Sequence, residues 1–300
     1  MVCEAKYYFS GHEFSAPALQ SGLYIVATPI GNLKDITIRA LEILSACDLI
    51  LCEDTRTSAK LLNHYGIKTK KISLHQHNEI SKIDGIINRL KEGQSIALIS
   101  DAGTPLISDP GFPLVRAVKN ADLNIFTAPG ASAIISALTI SALPTDRFSF
   151  LGFLPNKLGA KSNALEKLKN WQETMVFYES PRRLLATITA MQAIFGNQRQ
   201  IVIALELTKK FERSMHGSIE EIKHQLAKKK AKDEQIKGEA VIIVAGADEI
   251  IIDESEWIKQ LEKNLQDLPL RMAVDEVVAK YSIKRKQVYD EALKIKKTKG

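Results

Sequence analysis

The sequence predicts an α/β protein of two α/β domains followed by a small helical C-terminal module. Three observations carry that reading. Short apolar runs alternate with helix-period segments through the first half, as the crossover units of a parallel sheet require. The stretch "SALPTDRFSFLGFLP" (141–155) breaks the pattern before a second set of apolar runs, and beyond Asp248 the pattern is helical only. The chain's 300 residues also exceed one ordinary core, since cores stop growing at about 250–300 residues.

Element by element, strands are expected at "LYIVAT" (23–28), "DLILCE" (48–53), "KKISL" (70–74), "SIALIS" (95–100) and "LNIFTA" (123–128). Helices are expected near 37–45, 56–65, 79–91, 112–120 and 132–141. In the second half, strands fall at 174–179, 200–207 and 239–246, with helices near 181–194 and 218–229. Two amphipathic helices follow, "LPLRMAVDEVVAKY" and "KRKQVYDEALKIKK", with Ser282 as N-cap of the second. A tight turn before a basic second helix fits a nucleic-acid docking device. The implied division is a loose, patternless extension over 1–21, α/β domains over 22–143 and 144–248, and a basic helical module over 249–300.

Composition narrows the function classes. The apolar fraction of 45% and charged fraction of 25% are ordinary globular values. No apolar run approaches the roughly 20 residues of a membrane span, and the N-terminus lacks the plan of a secretory signal. Cys3, Cys47 and Cys52 are too few and scattered for a disulfide framework or a zinc site, so a reducing, cytoplasmic setting is expected. From Lys280 to Gly300, eight basic residues face two acidic ones, which accounts for the whole net charge of +6. A basic end on a neutral body suits an anionic partner, although it also suits a solvated tail.

Parallel sheets bind ligands beyond the carboxyl ends of their strands. Here those ends read "ATPIGN", "CEDTR", "SLHQHNE", "SDAGTP" and "TAPGASA", a polar, glycine-rich rim. The dinucleotide fingerprint, the phosphate-binding P-loop and the serine-hydrolase elbow are all absent. In "TPIGN", Pro29 pre-sets a turn and Gly31 removes a side chain, which would admit a close ligand, although a plain turn is the simpler reading of this segment alone. "APGASA" opens a helix whose amides attract polar groups, and its small residues equally suit close packing. "CEDTR" sets Glu53, Asp54 and Arg56 at a strand end, where an Asp–Arg ion pair and a helix cap from Thr55 are the simpler reading. His75 and His77 alternate without a third ligand, so no metal is expected; hydrogen bonding or capping by Asn78 explains them better. "YESPRR" places Arg182 and Arg183 at a helix start, against the helix dipole, which suits a phosphate or simple exposure.

Taken together, "VATPIGNLKDIT", "CEDTRTS", "ISDAGTPLISDPG", "APGASA", "FYESPRR", "LELTKKFE" and "KGEAVIIVAG" resemble the bacterial small-subunit ribosomal RNA cytidine 2′-O-methyltransferases of the tetrapyrrole-methylase superfamily. The resemblance implies methyl transfer from S-adenosyl-L-methionine to a cytidine ribose in the decoding region of 16S ribosomal RNA. A homodimer is implied, with the cofactor in the cleft between the two α/β domains and neither metal nor membrane involved. The implied cofactor contacts are Pro29, Gly31, Asp101, Gly103, Thr104, Pro105, Ile107, Ser132 and Ala133 from the first domain. Phe177, Tyr178, Glu239 and Ala240 join them from the second. "SDPG" is expected to shape the turn into the next helix. Asp54, Glu79 and Glu179 are candidate bases, with Arg56 holding ribose or phosphate. Arg182, Arg183, Lys284, Arg285 and Lys286 are the RNA-contact candidates. Leu205, Phe211 and Gln76 depart from the family pattern, at rim positions. Two rival readings remain: a tetrapyrrole or other small-molecule methylase, and a non-catalytic RNA-binding or ribosome-assembly protein.

Overall fold

The computed structural model describes residues 5–231, 238–248, 254–281 and 283–298. The chain forms two compact units, Met1–Ala247 and Asp248–Gly300.

The segment expected to be loose is instead a hairpin. Strands β1 (Lys6–Phe9) and β2 (His12–Ser15) pair antiparallel around Ser10 and Gly11, whose φ angles of 51° and 80° match the two-residue hairpin turn. Tyr7 is buried in the core beside Tyr24 and Tyr65, and the Tyr8 amide donates to the Tyr65 carbonyl at 2.8 Å. Aromatic side chains flanking "SG" were the signal for it.

The next ten elements are β3 (Gly22–Val26), α1 (Ile38–Ala46), β4 (Leu49–Cys52), α2 (Thr55–His64), β5 (Lys71–Ser73), α3 (Glu79–Lys91), β6 (Ser95–Ile99), α4 (Phe112–Asn120), β7 (Ile125–Ala128) and α5 (Ala133–Ile140). The sheet order is β5-β4-β6-β3-β7, parallel throughout. Buried on both faces, its central strands read as unbroken apolar runs. Their side chains alternate between two cores: Leu23 and Ile25 join one cluster, Tyr24 and Val26 the other.

The second sheet is built from β8 (Phe148–Phe153), α6 (Leu158–Glu166), β9 (Thr174–Glu179), α7 (Leu184–Phe195), β10 (Gln200–Leu205), β11 (Arg213–Ser218), α8 (Ile219–Ala231) and β12 (Ala240–Val244). Its order is β11-β10-β12-β9-β8, antiparallel except for β8 with β9. One face, with Met175, Phe177, Ile203 and Ile242, packs with α7 and α8. The other face, with Val176, Val202, Val241 and Ile243, packs on Ile134, Ala137 and Leu138 of α5 and on Ile30. That second cluster packs the second sheet against α5 and the loop after β3, and so joins the two halves.

The C-terminal unit contains α9 (Glu254–Asp267), α10 (Leu270–Tyr281) and α11 (Arg285–Thr298). Trp257, Leu261, Val274, Val277, Val288 and Ala292 form its core. The expected cap Ser282 lies outside the described residues. Among the described residues, no helix is long and apolar enough to cross a membrane.

Candidate active site

The parallel sheet brings its strand-end loops side by side. Thr28 and Gly103 exchange backbone hydrogen bonds at 2.8 and 3.0 Å, tying "TPIGN" to "DAGTP". The Thr104 hydroxyl donates to the Ala131 carbonyl at 3.3 Å, tying the latter to "APGASA". Asp101 accepts from the Asp54 amide at 3.1 Å, which links "CEDTR". Gly103 has φ +78°, in the left-handed region, and an added Cβ would lie 3.3 Å from Ile30 Cγ2. Leu106 and Ser108 are left-handed as well, at 76° and 69°. Such conformations in side-chain-bearing residues cluster where a loop shapes a functional site.

Between this rim and the ends of β9 and β12 opens a cavity of about 380 Å³, within the range of small-molecule sites, roughly 300–1,000 Å³. Gly103, Thr104, Ile107, Ser132 and Ala133 line it from the first sheet's loops, and Tyr178, Glu239 and Ala240 from the second sheet. The other predicted contacts lie elsewhere. Pro105 is buried, and Pro29 and Asp101 are outside the lining. The Phe177 side chain points into the core on the opposite face of β9, one step out of phase with Tyr178. Gly31 serves close packing and not ligand approach: an added Cβ would meet Lys209 Cγ at 2.4 Å and the Leu207 carbonyl at 3.0 Å. Ile30 and Val241 line the cavity too, and Ser108, Asp109, Phe153 and Ser180 do so without having been anticipated. Asp109 and Ser108 belong to "SDPG", which therefore forms wall as well as turn.

The wall is acidic. Burial pushes the Asp109 carboxyl up to about 6, the Glu53 and Asp101 carboxylates add to the rise, and the Ser100 hydroxyl opposes it. Glu53 and Asp101 are themselves raised, first by withdrawal from water and then by neighbouring carboxylates. Burial drives the Tyr178 phenol up to about 12, with Asp109 and Glu239 contributing. Its ring packs against Phe150 and Phe153, with centroids 4.9 and 5.5 Å away.

The candidate bases are occupied. Asp54, not Thr55, caps α2, accepting from the Arg56 amide at 2.8 Å. Its other oxygen pairs with the Arg56 guanidinium at 2.8 Å, and these bonds hold its pKa at about 2, too low for a general base near neutrality. Glu79 is buried away from the cavity, where it accepts from the Leu114 amide at 3.3 Å and so caps α4. Glu179 touches the cavity lining, but its carboxylate is held by the Ser180 amide at 2.8 Å, Thr187 at 2.6 Å and Arg183 at 3.0 Å. Arg183 also donates to the Leu154 carbonyl at 2.7 Å, so it braces the second sheet, whereas Arg182 is exposed. Arg285 pairs with Asp275, and all three cations of the trio Lys284, Arg285 and Lys286 are exposed. Asn78 stands at the N-cap of α3 but takes its bond from the His75 amide at 2.9 Å. Among the described residues, no group of three or more His, Cys, Asp or Glu could hold a metal ion.

The sequence profile of the tetrapyrrole (corrin/porphyrin) methylases matches residues 22–223. The ribosomal RNA small subunit methyltransferase I of Haemophilus influenzae is 46% identical over 277 residues, covering 90% of this chain and 96% of that protein. Its counterpart in Escherichia coli O157:H7 is 43% identical over 281 residues, covering 93% and 97%. In fold alone, the chain is similar to a Thermus thermophilus uroporphyrin-III C-methyltransferase solved with S-adenosylhomocysteine. That likeness has a TM-score of 0.51 at 15% identity and covers 75% of this chain and 97% of that one. The chain therefore belongs to the tetrapyrrole (corrin/porphyrin) methylases and, within them, to the ribosomal RNA small subunit methyltransferase I family.

Proposed function

We propose that this protein transfers a methyl group from S-adenosyl-L-methionine to the ribose 2′-oxygen of a cytidine in the decoding region of 16S ribosomal RNA, acting in the cytoplasm as a homodimer. The observation that carries the reading is near-full-length identity of 46% to a ribosomal RNA small subunit methyltransferase I. Four features of the chain support it: the 380 Å³ cleft, the parallel sheet's strand ends, the two sheets beside it, and the separate helical unit from Asp248. These also support the division at residues 22–143, 144–248 and 249–300. Large apolar side chains left in solvent, among them Phe112, Phe153 and Leu158, support a partner subunit.

The cleft suits the cofactor. Gly103 leaves backbone room, Ile30, Ala133, Tyr178 and Val241 offer apolar contact, and the Glu239 carboxylate favours a cation. Bound there, S-adenosylmethionine supplies an electrophilic methyl on a sulfonium. The protein's residues then align the ribose oxygen with that methyl and exclude water. Gly103, Thr104, Ile107, Ser132, Ala133, Tyr178, Glu239 and Ala240 hold the donor. The exposure of Arg182, and of Lys284 and Lys286 in the helical unit, supports a role for each in contacting RNA phosphates.

The test is methyl transfer to small ribosomal subunits lacking the modification, with the modified position mapped by primer extension. Incorporation at a single cytidine is the expected result. Transfer to a tetrapyrrole but not to subunits, or no donor binding in calorimetry, would replace this reading by one of its rivals.

A further inference from the structure

We propose that Asp109 is the general base of the reaction: its carboxylate lines the cleft and takes the proton of the attacking ribose hydroxyl. The proposal rests on the reading above, that the cleft serves methyl transfer to a ribose oxygen.

The cleft wall holds the carboxylate residues Asp109, Glu179 and Glu239. Asp54, outside that wall, is locked in its pair with Arg56, and Glu179 is enclosed by donors. Glu239 is largely in water and 3.6 Å from the Lys209 ammonium. Asp109 differs from all three. It is half-buried, it lines the cavity, and among the described residues no cation is paired with it. The groups facing it are the Glu53 carboxylate beyond β4, Asp101 beyond β6, the Ser100 hydroxyl and the Tyr178 phenol on β9. Two carboxylates and no ammonium give its oxygen a strong pull on a proton. Raised to about 6, the group is still ionised at neutral pH, the compromise general-base catalysis requires.

The backbone holds it there. Buried Pro110 follows Asp109, and the left-handed Ser108 precedes it. An added Cβ on Gly152 of β8 would lie 3.6 Å from the Ser108 hydroxyl, an ordinary contact distance, so the loop runs beside the second sheet at this point. A base fixed in this way needs no rearrangement when the substrate arrives.

The step balances. The ribose oxygen forms its bond to the methyl carbon as the carbon–sulfur bond breaks, and the electron pair stays on sulfur. The 2′-hydroxyl proton moves to Asp109, neutral S-adenosylhomocysteine leaves, and Asp109 returns the proton to water.

The test compares wild type, Asp109→Asn and Asp109→Glu in single-turnover methylation of unmethylated small subunits, with donor affinity measured by calorimetry. Asp109→Asn is expected to bind S-adenosylmethionine within about threefold of wild type but to react about 10²–10⁴-fold more slowly, the range for loss of a general base. Asp109→Glu is expected to recover part of the rate. In wild type, kcat/KM should fall as pH drops through about 6, and this acid limb should vanish in Asp109→Asn. The wild-type profile stands even if the variant folds poorly, and a flat profile there would overturn the proposal. So would a near-normal rate in Asp109→Asn, or loss of donor binding, which would make Asp109 a cofactor ligand. Wild type that binds donor but methylates no ribose would instead overturn the functional reading itself.

Discussion

Glu179→Gln tests whether that residue is a structural anchor. Its carboxylate is 1% exposed and accepts from Ser180, Thr187 and Arg183, while the Lys161 ammonium, 5% exposed, lies 4.0 Å away. The Thr187 hydroxyl joins the two charges, donating to Glu179 and accepting from Lys161 at 2.6 Å. A neutral amide keeps the shape but leaves Lys161 charged in a site whose burial already lowers its pKa. Breaking a buried pair costs about 3–5 kcal/mol, and the amide oxygen's retained bonds place this case near 3. With a urea slope of about 3 kcal/mol per molar for a unit this size, the midpoint falls by about 1 M. Adding Lys161→Met removes the stranded charge and is expected to recover about half of that loss. Urea unfolding followed by far-UV circular dichroism and Trp171 fluorescence reads both numbers. A double variant less stable than Glu179→Gln, or a single change that cost nothing, would refute an anchoring role for Glu179.

Three further outcomes are expected. Gly103→Ala forces a side chain into φ +78° and against Ile30; it should cost about 1–2 kcal/mol, with calorimetry showing at least about tenfold weaker donor binding. Asp109 has a folded pKa of about 6, above its unfolded value of about 3.9, so the folded state binds the proton more tightly and stability falls as pH rises between them. Asp109→Asn should therefore be the more stable protein at pH 7, by about 1–2 kcal/mol after allowance for solvent screening, and equal to wild type near pH 4 in thermal melts. Lys284→Glu with Lys286→Glu should leave donor affinity intact, lower methylation of subunits at least about tenfold and flatten its salt dependence; unchanged activity would remove α11 from the RNA contact.

The fold was legible where burial is two-sided. The runs at 23–28, 48–53 and 95–100 read as strands because their apolar side chains are buried on both faces of the sheet. Edge strands gave no such pattern: "RSMHGS" of β11 is mostly polar, and β8 is half-exposed and broken by a bulge between Phe150 and Phe153. Of the candidates in the rim loops, Gly103, Thr104, Ile107, Ser132 and Ala133 line the cavity, whereas Pro29, Gly31, Asp101 and Pro105 do not. Side-chain phase is not legible at all, because Phe177 and Tyr178 sit at adjacent positions with opposite destinations. The roles of the carboxylates are hidden from the sequence for a related reason. A strand-end address says nothing about partners, and partners decide that Glu79 is a cap and Asp109 is unpaired by any described cation.

Ile30 and Val241 belong both to the apolar cluster joining the two sheets and to the cleft wall. Uncovering either side chain costs about 1.5–3 kcal/mol, so opening the cleft wide means dismantling the core that joins the sheets. The cleft is therefore held in shape by folding itself, and donor binding need not organise it. Methyl transfer benefits from that arrangement, because its barrier responds to alignment of oxygen, carbon and sulfur more than to any strong catalytic group. A rigid wall also explains how one modestly basic carboxylate suffices: Asp109 only has to receive a proton at a place the fold has already fixed.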